Sequence, residues 1–386
     1  MDIRKPIISP ILSRLIFLFL LLTCQFAYAE VINPDTIISS PTTYSNTVLD
    51  MTNGNFIIQK GASLTIENSS IVGTISPTNK DLFLVELGTL NLTNNQVHIT
   101  ASGIEQTPKA DASFYVIRLG RASANFTGNS FIIDKEFSAG FLTSNLIQPV
   151  EHVTIANNKF QHFHGVLYLL NASNILIDGN QFKLNSGGNI VFVGHDGMIS
   201  NNSIYFAGLN QFGDAISIVN SEKVHLSKNN IFTATAESLA ITLSRNIVVD
   251  SNTITGGITY AIRLFSHEEL KKLHNTTASI LARLNRKDIK FQGSRDITIS
   301  NNFMSQNRYG LYAVDTQNLI VNNNFFSQRF ATPEARKFWT DNNILLKNVT
   351  SLSWTGNIYK EAFTQENEQE AELSFVIFPE TGGVVL

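Results

Sequence analysis

VTIANNKF, Val153 to Phe160, returns 22 residues later as ILIDGNQF, Ile175 to Phe182. The shared pattern is apolar, any, apolar, any, any, Asn, any, apolar. Working outward from this pair, eleven copies run from Leu64 to Tyr359, with Ser69 at the sixth position of the first and Asn from Asn95 to Asn357 in the rest. The third and eighth positions stay apolar throughout, as in Ile155 and Phe160. A unit this short cannot bury its own apolar face, so neighbouring units must stack into a solenoid.

Each unit holds three short apolar runs separated by polar turns. In the unit that contains Ile175, Leu167 to Leu170 comes first, the octet supplies the second run, and a short third run follows the Asn. Period-two alternation marks these runs as strands with Ile, Leu and Val facing inward. Three strands and three turns per coil predict an all-β, right-handed parallel β-helix of about 11 coils, right-handed because parallel crossovers are. The amide column is expected to take left-handed turn positions, which Asn tolerates. It is also expected to hydrogen-bond along the axis as a ladder.

The first 29 residues follow a different plan. Arg4, Lys5 and Arg14 precede the apolar run Leu15 to Leu22, and Ala27-Tyr28-Ala29 closes the segment, the arrangement of a cleaved secretory signal. The sole cysteine, Cys24, lies inside it. The chain after Ala29 therefore has no thiol for a disulfide or a metal, and no segment for stable membrane insertion is expected once the signal is removed. A net charge of -3 with 15% charged residues leaves no basic footprint for nucleic acid.

The expected organisation is a signal over 1–29, a lead-in and cap over 30–63, the β-helix over 64–360 and a C-terminal cap over 361–386. One long step between octets holds an insertion at 266–292. There Ser266-His267-Glu268-Glu269 reads as a capping box, and Leu270, Leu273, Thr277, Ile280, Leu281 and Leu284 recur at helical spacing. An amphipathic helix over 267–286 is expected, with Lys271 and His274 on its polar side. It either shields one face or covers a groove.

Aligning first strands by their distance to the octet gives an outward column of Tyr168, Val191, Ser217, Thr242, Arg263, Tyr312 and Leu345. Beside it runs a strip of small side chains, Ala215, Ala240, Ala261 and Gly310. This face is the candidate site for an extended polymer. Arg263, Tyr312 and Asp214 are its candidate catalytic groups, because a guanidinium pairs with a substrate carboxylate and a phenol can move a proton. Tyr168, Ser217, Thr242, Lys271 and His274 are the candidate binding groups. His162, His164 and His195 fall in different columns, so no metal site is read from them, and nothing in the sequence calls for a cofactor.

The octets with their Asn column, together with first strands such as Gly310-Leu311-Tyr312-Ala313, resemble the parallel β-helix repeats of the pectin-lyase-like superfamily from Leu64 to Tyr359. That resemblance implies polysaccharide lyases and mannuronan C5-epimerases as relatives, and also periplasmic copper-site maturation proteins. The epimerases' Asp-Pro-His-Asp motif is absent, since Gly194-His195-Asp196-Gly197 keeps only its second half. The expectation is an exported protein, periplasmic or secreted, that binds an acidic polysaccharide. Lyase or epimerase chemistry stands open beside a non-catalytic role as an envelope interaction surface, and a metal-site maturation role stands behind both.

Overall fold

The computed structural model describes residues 29–104, 114–134, 138–208, 213–267, 292–328, 344–360, 376–378 and 383–385. The expected insertion helix, with Lys271 and His274, lies outside them from 268 onward, as do residues 1–28 and the acidic stretch 361–372.

Each coil carries three strands, as in Leu239–Thr242, Arg245–Asp250 and Thr253–Thr255. Every one pairs in parallel with its equivalent one coil on: Leu239 opposite Ile262, Ile247 opposite Ile297, Ile254 opposite Met304. Third strands form a 13-stranded sheet, and the other two sets merge into a 24-stranded sheet. They merge because Leu167–Asp178 and Ile190–Ser200 each run unbroken through both positions. Near the C-terminus the pairing turns antiparallel, with Gly383–Val385 against Val376–Phe378 and Val385 opposite Leu345.

Inward positions are the apolar columns of the repeat. Val153, Ile155 and Phe160 are fully buried, and Phe131, Phe160 and Phe182 stack along the axis at centroid distances of 5.3 and 5.1 Å. Offset stacking of this kind adds to what burial of the rings already contributes.

The amide column forms the expected ladder. The Oδ1 atom of Asn180 accepts from the backbone N–H of Asn158 at 2.9 Å and from its Nδ2 at 3.0 Å. Asn158 Nδ2 also donates to the Phe126 carbonyl at 2.8 Å. The same bonds recur from Asn95 to Asn357. The left-handed position, however, is the residue before the ladder amide. Asn94, Asn157, Asn201 and Asn301 have φ between 54 and 56°, and Gly128 and Gly179 fill the same place. The buried amide is therefore kept for its hydrogen bonds, and its neighbour makes the bend.

Coils begin before Leu64. Thr42 pairs with Leu64 and Val48 with Ser70, which places a further octet at Thr42 to Leu49. Its sixth position is Thr47, whose N–H donates to Ser69 Oγ at 3.2 Å, so hydroxyls replace amides at this end of the ladder.

Candidate functional site: the outer face of the first strands

The strand register fixes the outward column. Tyr168 lies opposite Val191, Val191 opposite Ser217, Ser217 opposite Ala240, Ala240 opposite Arg263, Arg263 opposite Tyr312, and Tyr312 opposite Leu345. Thr242 is not in this column. It faces Val219 and Phe265, two residues further along, and Ala240 takes its place. Ala240 stands seven residues before Ile247, as Ser217 does before Val224 and Tyr312 before Leu319, whereas Thr242 stands five before it; a shift of two preserves the parity of a strand while moving the column. The small strip moves with it, to Ala215, Ser238 and Ala261. Ala215 and Ala261 are fully buried and pack with the interior core, so this strip does not floor an open groove.

The residue three positions before each member of the outward column sits on the corner where the chain enters the first strand. In successive coils these are Asp214, Glu237, Tyr260 and Tyr309. Asp214 and Glu237 are buried. Ser217 Oγ donates to Asp214 Oδ2 at 2.7 Å, and the Glu237 N–H donates to Asp214 Oδ1 at 3.3 Å. Arg263 reaches back one coil, and its Nη1 donates to Glu237 Oε1 at 2.8 Å. Its guanidinium carbon lies 4.1 Å from the Phe265 ring centroid, 4.9 Å from Tyr312 and 5.2 Å from Tyr260. Tyr260 in turn stacks on Tyr309 at 4.7 Å and meets Tyr312 at 5.0 Å.

Four coils thus contribute two carboxylates, one guanidinium and a group of aromatic rings to one patch. Arg263 and Tyr312 adjoin, while Asp214, two coils before Arg263, is connected to it only through Glu237, whose N–H meets Asp214 and whose carboxylate meets Arg263. Glu237 and Tyr260 went unread because they stand just ahead of the alternating run. Their common offset of three from the column is the signal that would have found them.

Polar satisfaction is incomplete here. Buried atoms without a hydrogen-bond partner include Ser238 Oγ and Thr242 Oγ1 on one coil and Thr259 Oγ1, Arg263 Nε and Ser266 Oγ on the next. Buried polar groups are normally paired, and these orphans fall on two adjacent coils.

The remaining candidates lie apart. Tyr168 is fully buried two coils from Ser217, among Leu170, Val191, Val193 and Val219 in an apolar cluster on the same outer face. Its ring closes over Gly165, where a Cβ would come within 2.4 Å of Tyr168 Cε2. His164 is buried with its Nδ1 2.8 Å from Ser186 Oγ, whereas His195 is exposed and pairs with Asp196 at 2.7 Å. No three His, Cys, Asp or Glu among the described residues are grouped to hold a metal ion, and none of the described helices is long and apolar enough to cross a membrane.

The arginine arrangement occurs twice. Arg118 occupies the same outward column five coils before Ala240, donates from Nε to both oxygens of Asp81 at 3.1 and 3.0 Å, and lies 5.9 Å from the Tyr115 ring. Burial raises the Asp81 carboxyl above the ordinary range, although the bond to Arg118 and its charge pull the other way. The two copies differ in enclosure: the Arg118 side chain is 40% exposed and that of Arg263 17%.

A family model described as a right handed beta helix region matches residues 146–280. No curated protein matches the chain. Among solved structures it is similar to a periplasmic alginate epimerase at 11% identity, over 83% of this chain and 79% of that one, with a TM-score of 0.45. It is similar to an Azotobacter vinelandii mannuronan C-5 epimerase module at 10% identity, over 88% and 92%, with a TM-score of 0.39. A tailspike protein of an E. coli bacteriophage, in complex with a pentasaccharide, shares 10% identity over 89% of this chain and 62% of its own, with a TM-score of 0.45. At these identities the likeness is one of fold.

Proposed function

We propose that this chain, a right-handed parallel β-helix of the pectin-lyase-like type, is an exported protein that binds an acidic polysaccharide at the patch around Arg263. The observation that carries the reading is the Arg263 guanidinium, held between aromatic rings with its buried Nε donor unpaired. An arginine has five N–H donors in a fixed fork. One is given to Glu237, and the Nε donor has no acceptor. A uronate carboxylate supplies one, and the partly exposed Tyr309 ring stands beside the patch to meet the apolar side of a sugar.

The same groups define the chemistry that fits. Pairing a uronate carboxylate with Arg263 makes the proton beside that carboxylate easier to remove, and Tyr312 and the Glu237 carboxylate bonded to Arg263 are the acid–base groups next to it. Loss of that proton followed by departure of the neighbouring glycosidic oxygen is a lyase reaction. Its return to the opposite face is an epimerisation.

The test is incubation of the protein with a panel of polyuronates, reading binding, unsaturated chain ends and the ratio of uronate epimers. Binding with either chemical change supports an enzyme, and binding alone supports a non-catalytic recognition surface. If no polyuronate is bound or altered, the proposal is wrong.

A further inference from the structure

The outer face of the 13-stranded sheet lies on a different side of the coil from Arg263 and has a distinct composition. Its strands from Lys159–Gln161 to Ile358–Lys360 contain no Asp or Glu, in a chain whose net charge is -3. The outward positions of these strands bring lysines, amides and hydroxyls together with aromatic rings. Lys183 lies opposite Tyr205, and Tyr205 opposite Phe232. In the adjacent column Phe303 lies opposite Phe325, and Lys159 occupies the same column several coils earlier.

The rings form two platforms, in each of which the face of one ring is stacked on that of the next. Tyr205 and Phe232 stack at 5.1 Å with their planes 2° apart, and Phe303 and Phe325 at 4.7 Å with planes 8° apart. They are not core residues, since Tyr205 is 38% exposed and Phe303 45%. Phe232 and Phe303 sit on strands two apart, which puts the platforms about 10 Å from one another along the axis. The two columns are offset by two residues, so a ligand touching both would run obliquely across the sheet.

We propose that this face is a second glycan-binding surface, separate from the Arg263 patch, for an anionic polysaccharide. The exposed parts of the stacked rings give the C–H faces of pyranose rings an apolar surface to pack on. Lys159 and Lys183 meet the acidic substituents, and the absence of carboxylates on these strands leaves nothing there to repel a polyanion. The surface shares only a ligand class with the function proposed above and does not depend on it.

The experiment is affinity electrophoresis of the purified protein through gels containing polygalacturonate, with neutral dextran as the comparison. It is run on the native protein and on a Glu237→Met/Arg263→Met form, in which the first patch has lost its guanidinium and the carboxylate paired with it. The expected result is retardation by polygalacturonate but not by dextran, retained in the Met form. Adding Tyr205→Ala and Phe303→Ala should weaken that retardation about tenfold, equivalent to ~1.4 kcal/mol, and adding Lys159→Ala and Lys183→Ala should remove its salt dependence. Because these side chains are exposed, the changes leave the core intact. Retardation that disappears in the Met form alone overturns this proposal while leaving the first patch standing. Retardation that survives the aromatic changes overturns it as well. So does a native dimer, seen by sedimentation, that the aromatic changes convert to monomer, because the face then serves self-association.

Discussion

Arg263 and Glu237 sit on neighbouring coils and meet at 2.8 Å on the outer wall of the solenoid, both largely shielded from water. A shielded ion pair is costly to desolvate, and its removal as a pair is often harmless, whereas removal of one partner strands the other charge. Arg263→Met alone is expected to destabilise the fold by about 3–5 kcal/mol, with the double change Glu237→Met/Arg263→Met far less disruptive. Urea unfolding of the single and double variants checks this, and equal losses in both would show that packing, not charge, holds the patch.

Arg118 provides a control within the same molecule. It repeats the acid–arginine–tyrosine arrangement, but its surroundings are open. Arg118→Ala is expected to leave polyuronate binding within about twofold, whereas Tyr312→Ala weakens it about tenfold, ~1.4 kcal/mol. Equilibrium binding to a fluorescent oligouronate measures both.

The amide ladder and its bend separate by mutation. Asn202 donates to Asn229 and to the Ile177 carbonyl from within the core. Asn202→Ala should cost about 1–3 kcal/mol, because the groups it leaves unpaired are buried. Asn157→Gly changes only the left-handed residue, at a place that Gly128 and Gly179 fill in neighbouring coils, and is expected within about 0.5 kcal/mol of wild type. Denaturant midpoints at equal slope distinguish the two.

Two carboxyls should titrate on opposite sides of their ordinary value. Burial raises Asp81. Asp250 feels some burial too, but hydrogen bonds from Ser300, Asn301 and Ser251 outweigh it and hold its carboxyl low. A lowered carboxyl contributes stability above its unfolded pKa and loses it as pH falls through the folded value; a raised one contributes below its unfolded pKa and loses it as pH rises through the folded value. NMR titration of the side-chain carboxyls should therefore show Asp81 protonating first on acidification, and Ser300→Ala should move Asp250 upward.

The fold was legible because one octet carried it: Ile155, Asn158 and Phe160 each mark a buried column that the register reproduces. What failed was the count from the octet back to the outward column in one coil. Thr242 lies two residues off the column although Ala240 keeps the common seven-residue distance to its octet, and parity gave no warning because a shift of two keeps every side chain on the same face. Glu237 and Tyr260 lie on a corner, where strand periodicity has ended, so only comparison across coils reveals them. The octet at Thr42 escaped notice because its Thr47 replaces the diagnostic Asn.

The central claim is that a uronate-bearing glycan contacts the protein at Arg263. The most direct measurement is a crystal structure of the protein soaked with an oligouronate. A sugar carboxylate within hydrogen-bond distance of the Arg263 guanidinium, with a ring against Tyr260 or Tyr312, is the predicted result. An oligosaccharide bound elsewhere, with the Arg263 patch empty at saturating ligand, would contradict it.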